Sequence, residues 1–412
     1  MYYQDEMRKN IDRNFRRLQE DDYSIEKLFR PQEYDWPGDW EGRALLAFTC
    51  HYVMGKENPC MHQMVTALPK YTNEYLYFGT PFNGRIADEQ QLSGHSWYLC
   101  GLIEYYKLFP SAEILRIAKS VVEHLYLPAL KHYDKYPLDG RNNGGVSGNI
   151  TGIVNDWKLS SDIGCAFMCV DGLSRYYAET KDCRTKEFLD KLIGIFDKID
   201  VVKYGFQTHT TLSCARGILT LYKATNEQTY LDIAKGVFDT YTQHGMTLTY
   251  ENFNWFGRTE SWTEPCAVVD SLILATDLYK ITKEPSYEKI ARRIWWNGLQ
   301  FCLREHGGAG PNTCVTAQQP ILQISMYEAP FCCTMRYAEG LKCVFENSFL
   351  VDEREENIEK DIFGRYFLGD RLLAEDVDYQ FHDATVYIVD GLKLIVVPTG
   401  VGNIKARLRI IF

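Results

Sequence analysis

The sequence predicts a mainly α-helical protein, an (α/α)6 barrel followed by the start of an antiparallel β domain. Four segments repeat one pattern, in which an apolar run with a Tyr-rich end precedes a polar turn and a second, amphipathic run. The first runs are rich in Cys, Ala, Gly and Ser, whereas the second runs carry charged residues on one face. A closed double ring buries its first helices and exposes one face of its second helices. The asymmetry therefore favours a barrel over an open solenoid.

The clearest repeats lie in the second half of the predicted barrel. LYKATNEQTYLDIAKGVFD, from Leu221, and LYKITKEPSYEKIARRIWW, from Leu278, align almost without gaps. Apolar residues in the second run of each recur at i, i+3, i+4 and i+7, the spacing of one helix face. Asn226 and Lys283, each followed by an acidic residue, supply the turn between the two helices. An earlier pair begins near Trp40, and we expect the barrel to occupy residues 1–347.

The residues after 347 have a β-like pattern. Alternating runs at 384–389 and 392–397 flank Asp390-Gly391, a pair typical of a type I′ hairpin turn. A third β-like run covers 406–412. We expect residues 348–412 to form a β-rich segment, an incomplete β-sandwich that a second copy could complete in a homodimer.

Composition excludes several classes of partner. The net charge of −10 argues against nucleic acid and anionic membranes, and no stretch of 18 apolar residues occurs. The charged N-terminus does not resemble a signal peptide, and 13 cysteines, an odd number, do not suggest a secreted disulfide framework. We therefore expect a cytoplasmic location. The aromatic content of 14% suits either a large core or a site that stacks on sugars.

Four short segments are predicted to meet at one mouth of the barrel, because each stands where an inner helix should begin. They are Gly94-His95-Ser96-Trp97, Thr208-His209-Thr210, Glu264-Pro265-Cys266 and Cys332-Cys333. Vicinal cysteines seldom bond to each other, since the ring they would close is strained. Three sulfurs and a carboxylate make up the ligand set of a tetrahedral Zn²⁺ site. The pattern therefore indicates a metal site, a nucleophile, or both.

These segments resemble glycoside hydrolase family 127, which is typified by β-L-arabinofuranosidases. Glu264-Pro265-Cys266-Ala267 is similar to the family's E-T-C-A motif, and Cys332-Cys333 to the start of its C-C-P-P-N motif. Gly94-His95-Ser96-Trp97 resembles a GHYL segment and Thr208-His209 a GH segment. Tyr250-Glu251-Asn252-Phe253 resembles G-E-A-F, and the likeness runs in order over roughly residues 36–350.

The resemblance implies a zinc-dependent retaining glycosidase that acts on a small oligosaccharide or glycoside. The implied metal ligands are Glu264, Cys266, Cys332 and Cys333. Cys332 would be the nucleophile and Glu251 the acid/base. The implied sugar-binding residues are His95 and His209, with Tyr250 and Trp262 beside the candidate carboxylates.

Departures from the family pattern leave alternatives open. Thr334-Met335-Arg336 stands where the family has Pro-Pro-Asn, which adds a cation near the site. Glu260, beside Trp262, competes with Glu251 as the acid/base. A carbohydrate-binding protein with a structural zinc remains open, as does a metal-free α/α-barrel enzyme such as an unsaturated uronyl hydrolase or a sugar epimerase. The sugar and the linkage are left open.

Overall fold

A computed structural model describes residues 2–29, 36–141, 145–316, 318–319 and 322–351, together with the backbone of six later strands. The helices are α1 Tyr2–Arg17, α2 Ile25–Leu28, α3 Asp39–Val53, α4 Cys60–Tyr71, α5 Glu89–Leu108, α6 Ala112–Val121, α7 Leu127–Tyr133, α8 Cys169–Thr180, α9 Cys183–Phe196, α10 Thr208–Thr225, α11 Gln228–His244, α12 Pro265–Thr282, α13 Pro285–Arg293, α14 Gln300–Cys302 and α15 Cys333–Glu346. The strands are β1 Ala87–Asp88, β2 Ile150–Val154, β3 Trp157–Ser160, β4 Ile358–Lys360, β5 Tyr366–Leu368, β6 Arg371–Ala374, β7 Thr385–Val389, β8 Leu392–Val397 and β9 Arg407–Ile411.

Six helices form a closed inner ring. In order these are α3, α5, α8, α10, α12 and α15, and each packs on the next. The ring closes because α15 returns to pack on α3. This closure confirms the predicted (α/α)6 barrel and distinguishes it from an open solenoid.

The remaining long helices form an outer layer. They are α1, α4, the α6–α7 pair, α9, α11 and the α13–α14 pair, and each packs on an inner helix next to it in sequence or, for α1, on α15.

Three inner helices end at Lys181, Asn226 and Lys283, which have positive φ values of 55°, 62° and 61°. Such a left-handed residue stops a helix and reverses the chain. Because one outer helix separates successive inner helices, the inner helices run in the same direction and their N-termini surround one mouth.

Glycine sets how closely the inner helices approach. A Cβ at Gly42 of α3 would lie 2.2 Å from the backbone of Trp97 in α5. A Cβ at Gly217 of α10 would lie 2.5 Å from the backbone of Val170 in α8. The small residues of the first runs therefore allow the backbones of the inner ring to touch, which keeps the barrel narrow.

A small sheet at the mouth was not predicted from the sequence. Strand β3 pairs parallel with β1 and antiparallel with β2. Asn155 and Asp156, between β2 and β3, have φ values of 50° and 65°, as a type I′ turn requires. The sheet leads directly into the loop at Ser161 and Asp162, so it positions that part of the mouth.

The strands after the barrel form two further three-stranded antiparallel sheets, β4-β5-β6 and β7-β8-β9. Val389 of β7 is paired with Leu392 of β8, as expected for the hairpin inferred from the sequence. Asp390-Gly391 themselves lie outside the described residues. Within the described part of the chain, no helix combines the length and apolar character needed to cross a membrane.

Candidate metal centre and active site

Three cysteine sulfurs meet at the mouth, where α12 and α15 begin. Cys332 precedes α15, Cys333 is its first residue, and Cys266 lies in the first turn of α12. The Sγ atoms of Cys332 and Cys333 are 3.4 Å apart, and those of Cys266 and Cys333 are 3.7 Å apart. The fold thus brings together cysteines from two distant points of the chain. We call these three residues the thiol cluster.

The spacing of the thiol cluster fits a metal ion. All three sulfurs lie within 4.8 Å of one another. A tetrahedral zinc ion with Zn–S bonds of about 2.3 Å holds its sulfurs about 3.8 Å apart. A disulfide would need an S–S distance of about 2.05 Å, far shorter than either separation. The cluster could therefore hold a metal ion.

A carboxyl and an imidazole adjoin the cluster. His209, Glu264 and Cys266 form a second group whose ligand atoms lie within 4.8 Å of one another. Glu264 caps α12, its backbone N–H donates to Asn252 (2.8 Å), and its Oε2 accepts from Gln207 (3.2 Å). Burial and the neighbouring Cys266 raise the pKa of the Glu264 carboxyl well above its usual range. A bound cation would favour its ionised form.

His209 presents one ring nitrogen to this group. Its Nδ1 lies 2.7 Å from Asp270 Oδ2, and its Nε2 lies 3.4 Å from an Nη of Arg43. Since a guanidinium can only donate, Nε2 is the acceptor and Nδ1 carries the proton. Burial lowers the pKa of His209 despite Asp270, so the ring is neutral at pH 7. A neutral imidazole braced by a carboxylate is a typical ligand or hydrogen-bond acceptor at metal sites.

The cysteines of the cluster differ in acidity. Hydrogen bonds from the Cys266 and Cys333 thiols lower the pKa of Cys332. Burial raises the pKa of both Cys266 and Cys333. Cys332 is also half-buried, whereas the other two are buried. Cys332 is therefore the thiol that most readily forms an accessible thiolate.

The inner helices carry a buried ionic network deeper in the barrel. Asp270 accepts hydrogen bonds from Arg216 and Arg336, and Glu339 pairs with Arg175, Arg216 and Arg336. These cations hold the pKa of Asp270 far below its usual range. The network, which we call the lumen network, fills the interior of the ring with paired charges. Arg336, predicted as an added cation of the site, belongs to it.

Glu251 is held in a closed environment. Its side chain is buried, and Oε1 accepts from Asn312 Nδ2 (2.9 Å) and the Thr263 hydroxyl (3.2 Å). Oε2 accepts from the Thr249 hydroxyl at 2.8 Å. Thr263 immediately precedes Glu264, so Glu251 braces the loop that places a candidate ligand. In this conformation its carboxylate serves as an acceptor.

Glu260 does not suit the role of acid. Its side chain is 65% exposed and pairs with Arg258 at 2.8 Å. The hydrogen bond from Arg258 lowers the pKa of Glu260. A general acid at neutral pH needs a raised pKa, so the surroundings of Glu260 do not favour the alternative assignment.

The remaining predicted sugar-binding residues have differing surroundings. Both ring nitrogens of His95 contact main chain, with Nδ1 2.7 Å from Gln91 O and Nε2 accepting from Phe78 N–H at 3.0 Å. His95 also lies in the second turn of α5 rather than at its start, because that helix begins earlier than predicted. The predicted contact between His95 and a sugar hydroxyl is therefore not supported by its bonding.

The aromatic candidates also differ. The Tyr250 hydroxyl accepts from Arg293 of the outer helix α13 at 2.5 Å, which directs its polar group to the outer layer. Trp262 is half-buried and packs edge-on against Trp255, with ring centroids 5.2 Å apart. Trp262 is the better placed of the two to offer a partly exposed ring.

Asp162 is a residue of the mouth for which no role was predicted. Its carboxyl accepts from Ser147 Oγ at 2.7 Å and from the N–H of Gly148 at 3.1 Å. Burial raises the pKa of Asp162 to about 7. The backbone carbonyl of the next residue, Ile163, accepts from the backbone N–H of Gln207, whose side-chain Nε2 donates to Glu264. A buried carboxyl with this pKa can exchange a proton at neutral pH.

No protein-family model matches the sequence, and no curated protein matches it. Solved structures do share its fold. A cellobiose 2-epimerase from Bacillus thermoamylovorans superposes with a TM-score of 0.56 at 14% identity over 83% of this chain and 98% of its own. A family 127 β-arabinofuranosidase gives 0.52 at 11% identity over 97% of this chain but only 62% of its own. An unsaturated glucuronyl hydrolase specific for heparin gives 0.52 at 13% identity, over 84% and 98%. At such identities the likeness shows the (α/α)6 fold alone.

Sequence reasoning missed the charged residues of the inner helices. The sequence signal was present, since Asp39 and Arg43, and likewise Asp171 and Arg175, stand four residues apart in otherwise apolar runs. This spacing places the two side chains of each pair on one helix face. Which pair lies beside the thiol cluster could not be read from the spacing, because it depends on the order of helices around the ring.

Proposed function

We propose that the protein is a metal-dependent retaining glycoside hydrolase whose nucleophile is the Cys332 thiolate. The observation that carries the proposal is the thiol cluster, whose sulfur separations of 3.4 and 3.7 Å suit a tetrahedral metal site. We propose Glu264 as the fourth ligand, as the resemblance implies; its carboxyl lies in the second group, with Cys266 and His209. When bound, zinc would keep the coordinating thiols deprotonated. The barrel fold supports the assignment to carbohydrate chemistry, since the solved structures named above include sugar-active enzymes.

The proposed reaction is a double displacement at the anomeric carbon. The Cys332 sulfur attacks the anomeric carbon and forms a C–S bond as the glycosidic C–O bond breaks. A carboxyl proton passes to the departing oxygen. Water then attacks the same carbon, its proton returns to the carboxylate, and the thiolate is released. Cys332 suits the first role because its thiol has the lowered pKa and the greater exposure of the cluster.

Two carboxyl groups compete for the role of acid/base. Glu251, the predicted acid/base, accepts from the side chains of Asn312, Thr263, Thr249 and Cys302, so its surroundings are those of a hydrogen-bond acceptor. Asp162, with a pKa near 7, is arranged to donate a proton at neutral pH. We keep Glu251 as the proposed acid/base, with Asp162 as the competing candidate.

Azide rescue distinguishes the two candidates. Azide added to a retaining enzyme that lacks its acid/base restores turnover of an activated aryl glycoside. Rescue of either Glu251→Ala or Asp162→Ala would therefore identify the acid/base.

The substrate class follows from the fold and the resemblance. We propose L-arabinofuranosides or related short glycosides, cleaved from the chain end. His209 is the proposed contact to a sugar hydroxyl, as the resemblance implies; its Nε2 accepts from Arg43, and a sugar hydroxyl that donates to Nε2 would take the place of that hydrogen bond. Trp262 is the proposed stacking surface.

A second candidate function has its own observation. Neutral His209 bonded to Asp270, together with Asp162, could move protons on a sugar without metal, as an epimerase or an uronyl hydrolase requires. This candidate needs no cysteine. It predicts full activity in a variant that lacks the thiol of Cys332.

The test is a comparison of Cys332→Ala with Cys214→Ala, a buried cysteine of α10 outside the cluster. Both proteins are assayed on aryl α- and β-glycosides of neutral sugars and of uronic acids, and their zinc content is measured. The proposal expects stoichiometric zinc in the wild type and loss of turnover in Cys332→Ala only. It also expects a covalent glycosyl adduct on Cys332 by mass spectrometry. Unchanged turnover in Cys332→Ala would overturn it in favour of the second candidate.

A further inference from the structure

We propose that Arg43 is the positioning residue of the thiol cluster. In this role its guanidinium fixes the Cys266 sulfur and the His209 ring, and its charge offsets the excess negative charge of the ligand set. The inference rests on the proposed function, because that proposal includes a divalent cation bound at the thiol cluster. It adds a residue that none of the recognised motifs contains.

Arg43 is itself rigidly held on α3. Its Nε lies 2.9 Å from each carboxylate oxygen of Asp39, one helical turn earlier. The two side chains are 5% and 0% exposed. The guanidinium also packs on the ring of Trp97 in α5, with its central carbon 4.2 Å from the ring centroid. A buried cation fixed from two sides can orient other groups.

The remaining nitrogens of Arg43 are directed at the site. Nη1 donates to Cys266 Sγ at 3.5 Å, and Nη2 donates to His209 Nε2 at 3.4 Å. The planar fork thus spans a carboxylate, a sulfur and an imidazole in three directions. A lysine has one compact ammonium group and could keep the charge without this span.

Charge balance gives Arg43 a second role. Three thiolates and the carboxylate of Glu264 carry four negative charges, of which a divalent cation neutralises two. Excess charge at a buried site is costly unless it is paired. Arg43 contacts the cluster directly and halves the excess. Arg336 also packs on the ring of Trp97, but its guanidinium forms ion pairs with Asp270 and Glu339.

The chain offers a matched control. Asp171 and Arg175 form the same i, i+4 pair on α8, with side chains 1% and 9% exposed. The other nitrogens of Arg175 go to Glu104 and Glu339 instead of to sulfur. Loss of Arg175 therefore breaks a buried ion pair of the same kind without touching the thiol cluster.

The experiment measures metal binding to the full chain. Metal-depleted wild type, Arg43→Met, Arg43→Lys and Arg175→Met are titrated with Zn²⁺ against a chromophoric chelator. Residues that support metal ligands typically contribute about 10- to 100-fold in affinity. We expect Arg43→Met to bind Zn²⁺ about 10- to 100-fold more weakly, Arg43→Lys to fall between, and Arg175→Met to match the wild type. With Co²⁺ in place of Zn²⁺, the sulfur-to-cobalt absorption should move to longer wavelength only in the Arg43 variants, because a sulfur loses its donor.

The outcomes separate the two proposals. Wild-type Zn²⁺ affinity and an unshifted Co²⁺ band in Arg43→Met would overturn the role of Arg43 while leaving the proposed function standing. Failure of the wild type to bind Zn²⁺ would overturn the proposed function and this inference with it. Circular dichroism checks folding. If Arg43→Met does not fold, Asp39→Asn, which keeps the arginine but releases its anchor, should also weaken Zn²⁺ binding, and unchanged binding there would count against the proposal.

Discussion

Carboxyl groups at the mouth and carboxyl groups deeper in the barrel are largely shielded from water, yet their pKa values shift in opposite directions. Burial raises the pKa of Asp162 and Glu264 at the mouth, where their hydrogen-bond donors are uncharged. Deeper in the barrel, arginines lower the pKa of Asp270 in the lumen network and of Asp171 beside it, although both carboxyl groups are buried. Partners rather than burial therefore decide where this barrel keeps fixed charge and where it keeps groups that can exchange protons or accept a cation.

The largest expected difference between the two regions concerns activity. Replacing Cys332 with Ser should reduce kcat by about 10⁴-fold or more, because removal of a nucleophile leaves only binding and orientation. The free energy of unfolding of the metal-depleted protein should change by less than about 1 kcal/mol, since the side chain is half-buried and nearly isosteric. Kinetics and urea unfolding of one preparation measure both. A large loss of stability would place Cys332 with the structural groups.

A change in the lumen network should act on stability. We expect Asp270→Asn to lower the free energy of unfolding by about 3–5 kcal/mol, because it strips a charge from a buried set of ion pairs. The matched control on the same helix is Asp277→Asn, which loses a pair with Lys223 in which the aspartate is 26% exposed. That variant should lose no more than about 1 kcal/mol. Equal losses in the two variants would contradict the distinction.

Metal removal should distinguish the mouth again. Zinc at 1,000 times its Kd raises the free energy of unfolding by about 4 kcal/mol, and a chelator that removes the zinc should abolish this stabilisation. Differential scanning calorimetry should show this as a lowered Tm that returns when zinc is added back. Cys266→Ser, which lacks one proposed ligand, should show little response to the chelator. A chelator response of wild-type size in that variant would place the metal elsewhere.

An effect confined to high pH should come from Glu41, in the first turn of α3. Burial raises the pKa of its carboxyl to about 8. A raised folded pKa gives stability that is complete below the unfolded pKa, near 4.5, and is lost as pH rises towards 8. Glu41→Gln should therefore unfold like the wild type at pH 4 but be more stable at pH 9, by up to about 5 kcal/mol, since each unit of pKa shift corresponds to about 1.36 kcal/mol. Parallel pH curves for Tm in the two proteins would show that the carboxyl is not buried in solution.

Much of the fold followed from local pattern. The repeats from Leu221 and Leu278 predicted helix pairs, since the spacing of apolar residues fixes which face is buried. The left-handed residues Asn226 and Lys283 end their helices where the sequence placed the turns. The small sheet formed by β1, β2 and β3 was missed, because its strands are too short for a clear alternation. The start of α5 was misjudged for a related reason, since residues before Gly94 carry no apolar periodicity of their own.

The sequence by itself determined the closed helical ring and the candidate ligands Glu264, Cys266 and Cys332-Cys333, because helix periodicity and ligand chemistry are properties of neighbouring residues. Only the tertiary structure decided which distant groups face those ligands. It placed Arg43 and His209 beside the sulfurs, enclosed Glu251 among side-chain hydrogen-bond donors, and paired Arg336 with the carboxylates of the lumen network. The reason is geometric. A position on a helix fixes a direction relative to that helix alone, whereas contacts across the ring depend on how all six inner helices close around one axis.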